Sequence, residues 1–153
     1  MKPKYLNIKN NNAYIRDINL VEVAKEYKTP LYVFDQVELE DNMKMFTDNF
    51  TSNDFNCHTV YASKAFLVPA MCELLIKHGL WMDAVSLGDL YVAYKSNFPM
   101  NHIVFHGNNK SKEELEFAVE HNCVIVVDHL EELKMLNAIC ESKEKYINTM
   151  FRV

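Results

Sequence analysis

Glycine is scarce in this chain: there are three in 153 residues, Gly79, Gly88 and Gly107. No GxGxxG and no GxxxxGK[ST] can be built from them, which argues against a sheet that holds nucleotides on a glycine-rich turn. Positive charge is also short. The net charge is −5, so no basic field is available for nucleic acid, and none is expected as a partner. No apolar run reaches the length needed to cross a bilayer, and no membrane partner is expected. The opening Met1-Lys2-Pro3-Lys4-Tyr5 lacks the apolar stretch of a secretory signal, which favours a cytoplasmic protein. The four cysteines, Cys57, Cys72, Cys123 and Cys140, form no CxxC pair and have no metal-ligand spacing. They are expected to be buried free thiols, with no metal site.

Apolar residues make up 49% of the chain, enough for one globular domain with a real core. Residues 1–29 are polar and asparagine-rich, and Asn10-Asn11-Asn12 marks a turn. A short helix is expected over Asn19–Tyr27, ended by Thr29-Pro30. Leu31-Tyr32-Val33-Phe34, rich in aromatic and β-branched residues, predicts a strand. Asp35 should cap a helix to about Phe50, with Leu39, Met43 and Phe46 inward. From Cys57 the pattern becomes regular. Strands are expected at 59–63, 80–85, 102–105, 123–127 and 147–153. Helices are expected at 66–78, from Ser86 to Lys95, after the capping box Ser111-Lys112-Glu113-Glu114, and after a cap at Asp128 with Leu130, Leu133 and Leu136 inward.

Apolar strands alternating with helices of about ten residues predict βα units and a parallel sheet. Four full units and a fifth strand fit either an open doubly wound sheet or part of a (β/α)8 barrel. The missing glycine motifs make the barrel the better reading.

In such a barrel the site lies at the C-terminal ends of the strands. Those ends carry Lys64, Asp83 and Ser86, His106-Gly107-Asn108-Asn109, Asp128-His129 and Arg152. Ser86 and Asp128 read first as helix caps. His106 and His129 are loop histidines with no partner visible in the sequence. Lys64 and Arg152 are different, because each is a cation on or just after an apolar strand and needs a partner, water or a chemical task. Lys64 is the candidate Schiff-base lysine. Asp83 is a candidate partner for Arg152, and a cation nearby would favour the nucleophilic amine of Lys64. Surface charges at strand ends are the competing reading of all three.

Thr29-Pro30-Leu31-Tyr32-Val33-Phe34-Asp35 resembles the opening of diaminopimelate decarboxylases, and Tyr61-Ala62-Ser63-Lys64-Ala65 resembles their lysine segment. Asp83-Ala84-Val85-Ser86-Leu87-Gly88-Asp89-Leu90 resembles their second-strand turn. Val104-Phe105-His106-Gly107-Asn108-Asn109-Lys110-Ser111 is the most specific match. Val126-Val127-Asp128 and Phe151-Arg152-Val153 complete the series.

The resemblance implies a fold-type III pyridoxal 5'-phosphate enzyme, a (β/α)8 barrel joined to a β-rich domain. Residues 1–34 would belong to the β-rich domain and residues 35–153 to the first half of the barrel. By the same resemblance Lys64 is the catalytic lysine bound to the cofactor, and Asp83 and Arg152 line the cofactor pocket. The implied reaction is decarboxylation of meso-2,6-diaminopimelate to L-lysine, and the implied full-length enzyme is a homodimer. The family's glycine-rich phosphate loop, its acidic partner for the pyridine nitrogen and its C-terminal cysteine and tyrosine region find no counterpart here. The chain is therefore expected to be an N-terminal portion, inactive alone, since four and a half units cannot close an eight-stranded barrel. The other readings are a relative acting on ornithine, arginine or carboxynorspermidine, a non-catalytic cofactor-binding or interaction remnant, and an unrelated doubly wound response-type domain. The Gly107–Ser111 segment argues against the first of these.

Overall fold

A computed structural model describes residues 4–153; the residues before Lys4, including most of the N-terminal segment read for a secretory signal, lie outside the described ones. The contacts separate two units, Met1–Phe46 and Thr47–Val153.

In the first unit, strands β1 (Leu6–Lys9) and β2 (Asn12–Ile15) form an antiparallel hairpin, and β3 (Ile18–Asn19) adds to β2. The turn falls at Asn10 and Asn11, with φ of 49° and 59°. Asparagine tolerates that left-handed conformation, and two such residues give the turn that matches strand twist. Asn19 then caps helix α1 (Leu20–Tyr27), its side chain accepting from the Val21 amide at 2.9 Å. Asp35 caps helix α2 (Gln36–Asn49) by accepting from the amides of Val37 and Glu38. Of the expected inward face of α2, Met43 is buried while Phe46 is exposed. The strand expected at Leu31–Phe34 does not form. These four residues belong to neither sheet and are all exposed. β-propensity describes fit to a pleated surface, and no neighbouring strand supplies one.

The second unit is a five-stranded sheet in the order β4 (Val60–Tyr61), β5 (Trp81–Ala84), β6 (Ile103–Phe105), β7 (Val124–Val127) and β8 (Thr149–Phe151), every pair parallel. Each strand lies beside its predecessor in sequence. A doubly wound sheet would reverse that order at a switch point, so the sequential order is that of a barrel wall. Helices α3 (Pro69–Lys77), α4 (Leu87–Lys95), α5 (Lys112–Glu120) and α6 (Leu130–Lys143) fill the connections. Met82, Ala84, Ile103, Phe105, Ile125 and Val127 face the core, with Leu75, Leu90, Leu115, Val119 and Leu136 among the helical residues buried there. Burying each large side chain contributes about 1.5–3 kcal/mol. Alternation along the strands sends Asp83, Val104 and Val126 to the opposite face.

Three βα turns close in the same way. Before α4, Asp89 accepts from the Val85 amide at 3.0 Å while Ser86 Oγ accepts from the Asp89 amide at 3.2 Å. Before α5, Glu114 accepts from the Ser111 amide at 2.8 Å and Ser111 Oγ from the Glu114 amide at 3.2 Å, which is the expected capping box. Before α6, Glu132 accepts from the Asp128 amide at 3.3 Å, and His129 Nδ1 accepts from the Glu132 amide at 3.2 Å. The cap of α6 is thus His129 and not Asp128.

Two further expectations are corrected. The helix expected from Phe66 starts at Pro69, and the residues after β4 form a 3₁₀ turn, Ser63–Ala65. The inward face of α6 is Glu132, Leu136 and Ile139, whereas Leu130 is 73% exposed. Of the four cysteines, all free, Cys72 and Cys123 are buried and Cys57 and Cys140 half-buried. Among the described residues, no helix is long and apolar enough to cross a membrane, and no group of three His, Cys, Asp or Glu side chains could hold a metal ion.

Candidate functional site

The face of the sheet turned away from the helices is lined by Val60, Val104, Val126 and Met150. At their C-terminal ends stand Asp83, His106, Gly107, Asp128 and Arg152, and together these residues enclose a hollow of about 420 Å³. The floor is apolar and the rim is charged.

Asp83 is the joint of the rim. It ends β5, where its Oδ1 accepts from the Ser63 amide at 2.7 Å and its Oδ2 meets His106 Nε2 at 2.9 Å. One carboxylate therefore ties the turn that carries Lys64 to the residue that follows β6. Lys64 itself is exposed, and its ammonium makes no hydrogen bond or ion pair among the described residues. Beside it, Ser63 Oγ is buried without a partner. Tyr61 donates to the Phe66 carbonyl at 2.8 Å, closing the far side of the same turn. Burial, and secondarily the Asp83 charge, pushes the Tyr61 hydroxyl above its ordinary value and keeps it a donor.

Arg152 Nη1 pairs with Asp128 Oδ1 at 3.1 Å, with the guanidinium side chain 63% exposed. Its partner is Asp128 rather than the Asp83 anticipated from the sequence, because Asp128 ends the adjacent strand and the Arg152 amide already bonds the Val127 carbonyl at 3.0 Å. Asp83 and Arg152 thus share the hollow without touching. Lys64 does not line the hollow; its neighbour Ser63 ties the Lys64 turn to Asp83 through the backbone amide.

Sequence reasoning passed over two features. His106 looked like a loop histidine, yet β5 and β6 pair Asp83 with Val104, which brings residue 106 to the end of Asp83's side chain. The second is Lys110, whose Nζ donates to the Gly107 carbonyl at 2.7 Å and pairs with Glu132 Oε1 at 2.9 Å, both side chains being only 1% exposed. Its signal was Glu132 in the repeat Glu132, Leu136, Ile139, a carboxylate on the buried stripe of α6.

Residues 36–153 match the family described as pyridoxal-dependent decarboxylase, pyridoxal binding domain. A diaminopimelate decarboxylase of Bacillus methanolicus is 41% identical over 140 residues, which is 91% of this chain and 32% of that protein. The Bacillus subtilis enzyme of the same name is 40% identical over the same shares. The crystal structure of diaminopimelate decarboxylase from M. jannaschii superposes with a TM-score of 0.90 at 33% identity, over 97% of this chain and 36% of that one. The chain therefore spans about a third of the length of the relatives it matches. By residues 36–153 the chain belongs to the pyridoxal-dependent decarboxylases, of which it carries the pyridoxal-binding domain.

Proposed function

We propose that this chain provides the lysine-bearing wall of an enzyme that removes carbon dioxide from meso-2,6-diaminopimelate and leaves L-lysine. The observation that carries the reading is the unpaired Lys64 ammonium on a turn fixed by the Asp83–Ser63 bond of 2.7 Å. The names of the relatives support the substrate, and the M. jannaschii enzyme has been crystallised with L-lysine.

The residues present fit pyridoxal phosphate. An imidazole held by a carboxylate and an exposed guanidinium for an anionic group stand at one rim above an apolar floor, and the amine for its aldehyde is on the turn that the same carboxylate holds. When bound, the cofactor supplies an electron sink for the pair left behind as the carbon–carboxylate bond breaks. Lys64 is the covalent anchor. Asp83 fixes the direction of the Lys64 turn with one oxygen and the plane of the His106 ring with the other, so that neither group must reorganise during reaction. Arg152 offers an accessible cation to an anionic group of the cofactor or substrate. Val60, Val104, Val126 and Met150 offer the cofactor an apolar floor to lie against.

In the same proposal, residues 1–34 belong to a β-rich domain and residues 35–153 to the barrel. The antiparallel sheet of Leu6–Asn19 and the start of the family match at residue 36 support this division. The complete enzyme is a homodimer, as the resemblance implies, and it works in the cytoplasm, where four free cysteines suit a reducing compartment.

The test is borohydride trapping with pyridoxal phosphate followed by peptide mass mapping. The label is expected on Lys64 alone. A label spread across many lysines, or absent, refutes the reading.

A further inference from the structure

The strongest unused feature of the molecule is the buried pair Lys110–Glu132. It touches neither Lys64 nor Arg152, and it costs desolvation of two charges. An ion pair with both side chains 1% exposed is hard to explain as a source of stability, because well-packed apolar residues of similar volume are often as stable or more so. What distinguishes it is what it joins. Lys110 Nζ donates to the Gly107 carbonyl at 2.7 Å, and Gly107 follows His106 directly in a left-handed conformation, φ +102°. Glu132 Oε1 meets Lys110 at 2.9 Å and also accepts from the Asp128 amide at 3.3 Å. Asp128 holds Arg152 at 3.1 Å. The pair therefore spans from the end of β6 to the end of β7 and links the His106–Asp83 arm of the rim to the Asp128–Arg152 arm.

We propose that Lys110 and Glu132 are positioning residues, a buried strut that fixes the separation of the two arms of the cofactor rim. This rests on the proposed function for the identity of the rim, but the strut itself is a statement about the fold. Gly107 has no side chain through which it could be held, so its carbonyl is the available handle, and a lysine reaching back three residues from the helix entrance grips it. Glu132 sits in the first turn of α6, where its charge is also favoured by the helix N-terminus. The remaining carboxylate oxygen agrees with a geometric rather than a stabilising task. Glu132 Oε2 is buried without a partner, a defect that an assembly selected for stability alone would remove.

The decisive variant is Lys110→Met/Glu132→Leu, which removes both charges and leaves no orphaned ion. Glu132→Gln keeps the acceptor oxygen for Lys110 and the Asp128 amide, and Lys134→Ala, at an exposed pair on α6, is the control. Three readouts are taken on the full chain: urea unfolding, the ring signals of His106 in nuclear magnetic resonance, and the fraction of borohydride label on Lys64. The double variant is expected to unfold at the parental urea concentration or above, to shift and broaden the His106 ring signals, and to lose Lys64 selectivity by about tenfold. Glu132→Gln is expected to keep at least half of the selectivity, and Lys134→Ala all of it. A double variant with parental His106 signals overturns the strut, and so does one that loses stability while the His106 signals stay in place. If the parent chain shows no Lys64 selectivity, the proposed function fails, and the His106 signals still decide the strut by themselves.

Discussion

Removing the Asp83 carboxylate tests the joint of the rim in one step. In Asp83→Ala two interactions go. The Ser63 amide loses an acceptor at 2.7 Å, and His106 Nε2 loses its partner at 2.9 Å. Ser63 is only 2% exposed, so its amide finds no full replacement from water. A hydrogen bond to a charged acceptor is worth about 1.5–3 kcal/mol, and the Ser63 bond belongs near the middle of that range. The His106 ring is 30% exposed and partly resolvated when released, which puts its share at about 1 kcal/mol. The expected loss is therefore about 3 kcal/mol for Asp83→Ala. Asp83→Asn keeps an oxygen for the Ser63 amide and is expected to lose about 1 kcal/mol. The assay is urea unfolding followed by the fluorescence of Trp81, the sole tryptophan, which lies on the same strand and stacks against His58 and His102 at centroid distances of 4.3 and 4.9 Å. The denaturant slope should not change, since the surface exposed on unfolding is unchanged. An Asp83→Ala variant within 0.5 kcal/mol of the parent, on the order of the usual scatter for neutral substitutions, would refute the reasoning. So would an asparagine as damaging as the alanine.

Three further outcomes follow from the geometry. Gly107→Ala has room for its Cβ, whose nearest neighbour would be the Val85 carbonyl oxygen at 3.7 Å. Its cost is therefore conformational, about 1–2 kcal/mol in urea unfolding, from forcing a side chain into φ +102°. Ser111→Ala should lose about 1 kcal/mol by the same assay, and Ser111→Asp should recover most of it, because the cap needs only an acceptor. Burial pushes the Cys123 thiol from 9.0 up to about 12. The unfolded thiol ionises first, so the stabilising effect of the neutral buried thiol is complete below pH 9 and lost as pH rises through 12. The parent should lose about 1.4 kcal/mol per pH unit more than Cys123→Ala across that window, read from paired urea titrations; parallel titrations would contradict this.

Local chemistry was the most legible part of the sequence. Ser86 and the Ser111–Glu114 box each cap a helix through atoms within three residues of themselves, and both appear as anticipated. The strand order could be narrowed but not settled, because alternation of strands and helices is shared by barrels and doubly wound sheets. Only the pairing of each strand with its predecessor decides. Leu31–Phe34 was misread because a strand requires a neighbour, and propensity contains no information about one. The face of α6 was misread because only its leucines, Leu130, Leu133 and Leu136, were placed inward, whereas the buried stripe is Glu132, Leu136 and Ile139. The partner that makes Glu132 tolerable, Lys110, lies twenty-two residues earlier and is brought near only by the sheet. The same holds for Asp83 and His106, twenty-three residues apart. The pairing of Arg152 with Asp128 likewise required knowing which strand ends adjoin.

The three βα turns closed by their own acidic residues bear on how the chain is made. In each turn one carboxylate at most four residues away, within the same unit, accepts from the amide that opens the turn, while the Leu87 amide reaches into the next unit, to Glu114 at 3.0 Å. A unit leaving the ribosome can therefore complete its own turn before the next strand has been synthesised. Each new strand then needs only the edge left by its predecessor, since sheet order follows chain order throughout β4 to β8. Contacts of short sequence separation form quickly and leave little time for an unpaired edge to find the wrong chain. The wall can thus grow strand by strand at the pace of translation, each unit templating the next.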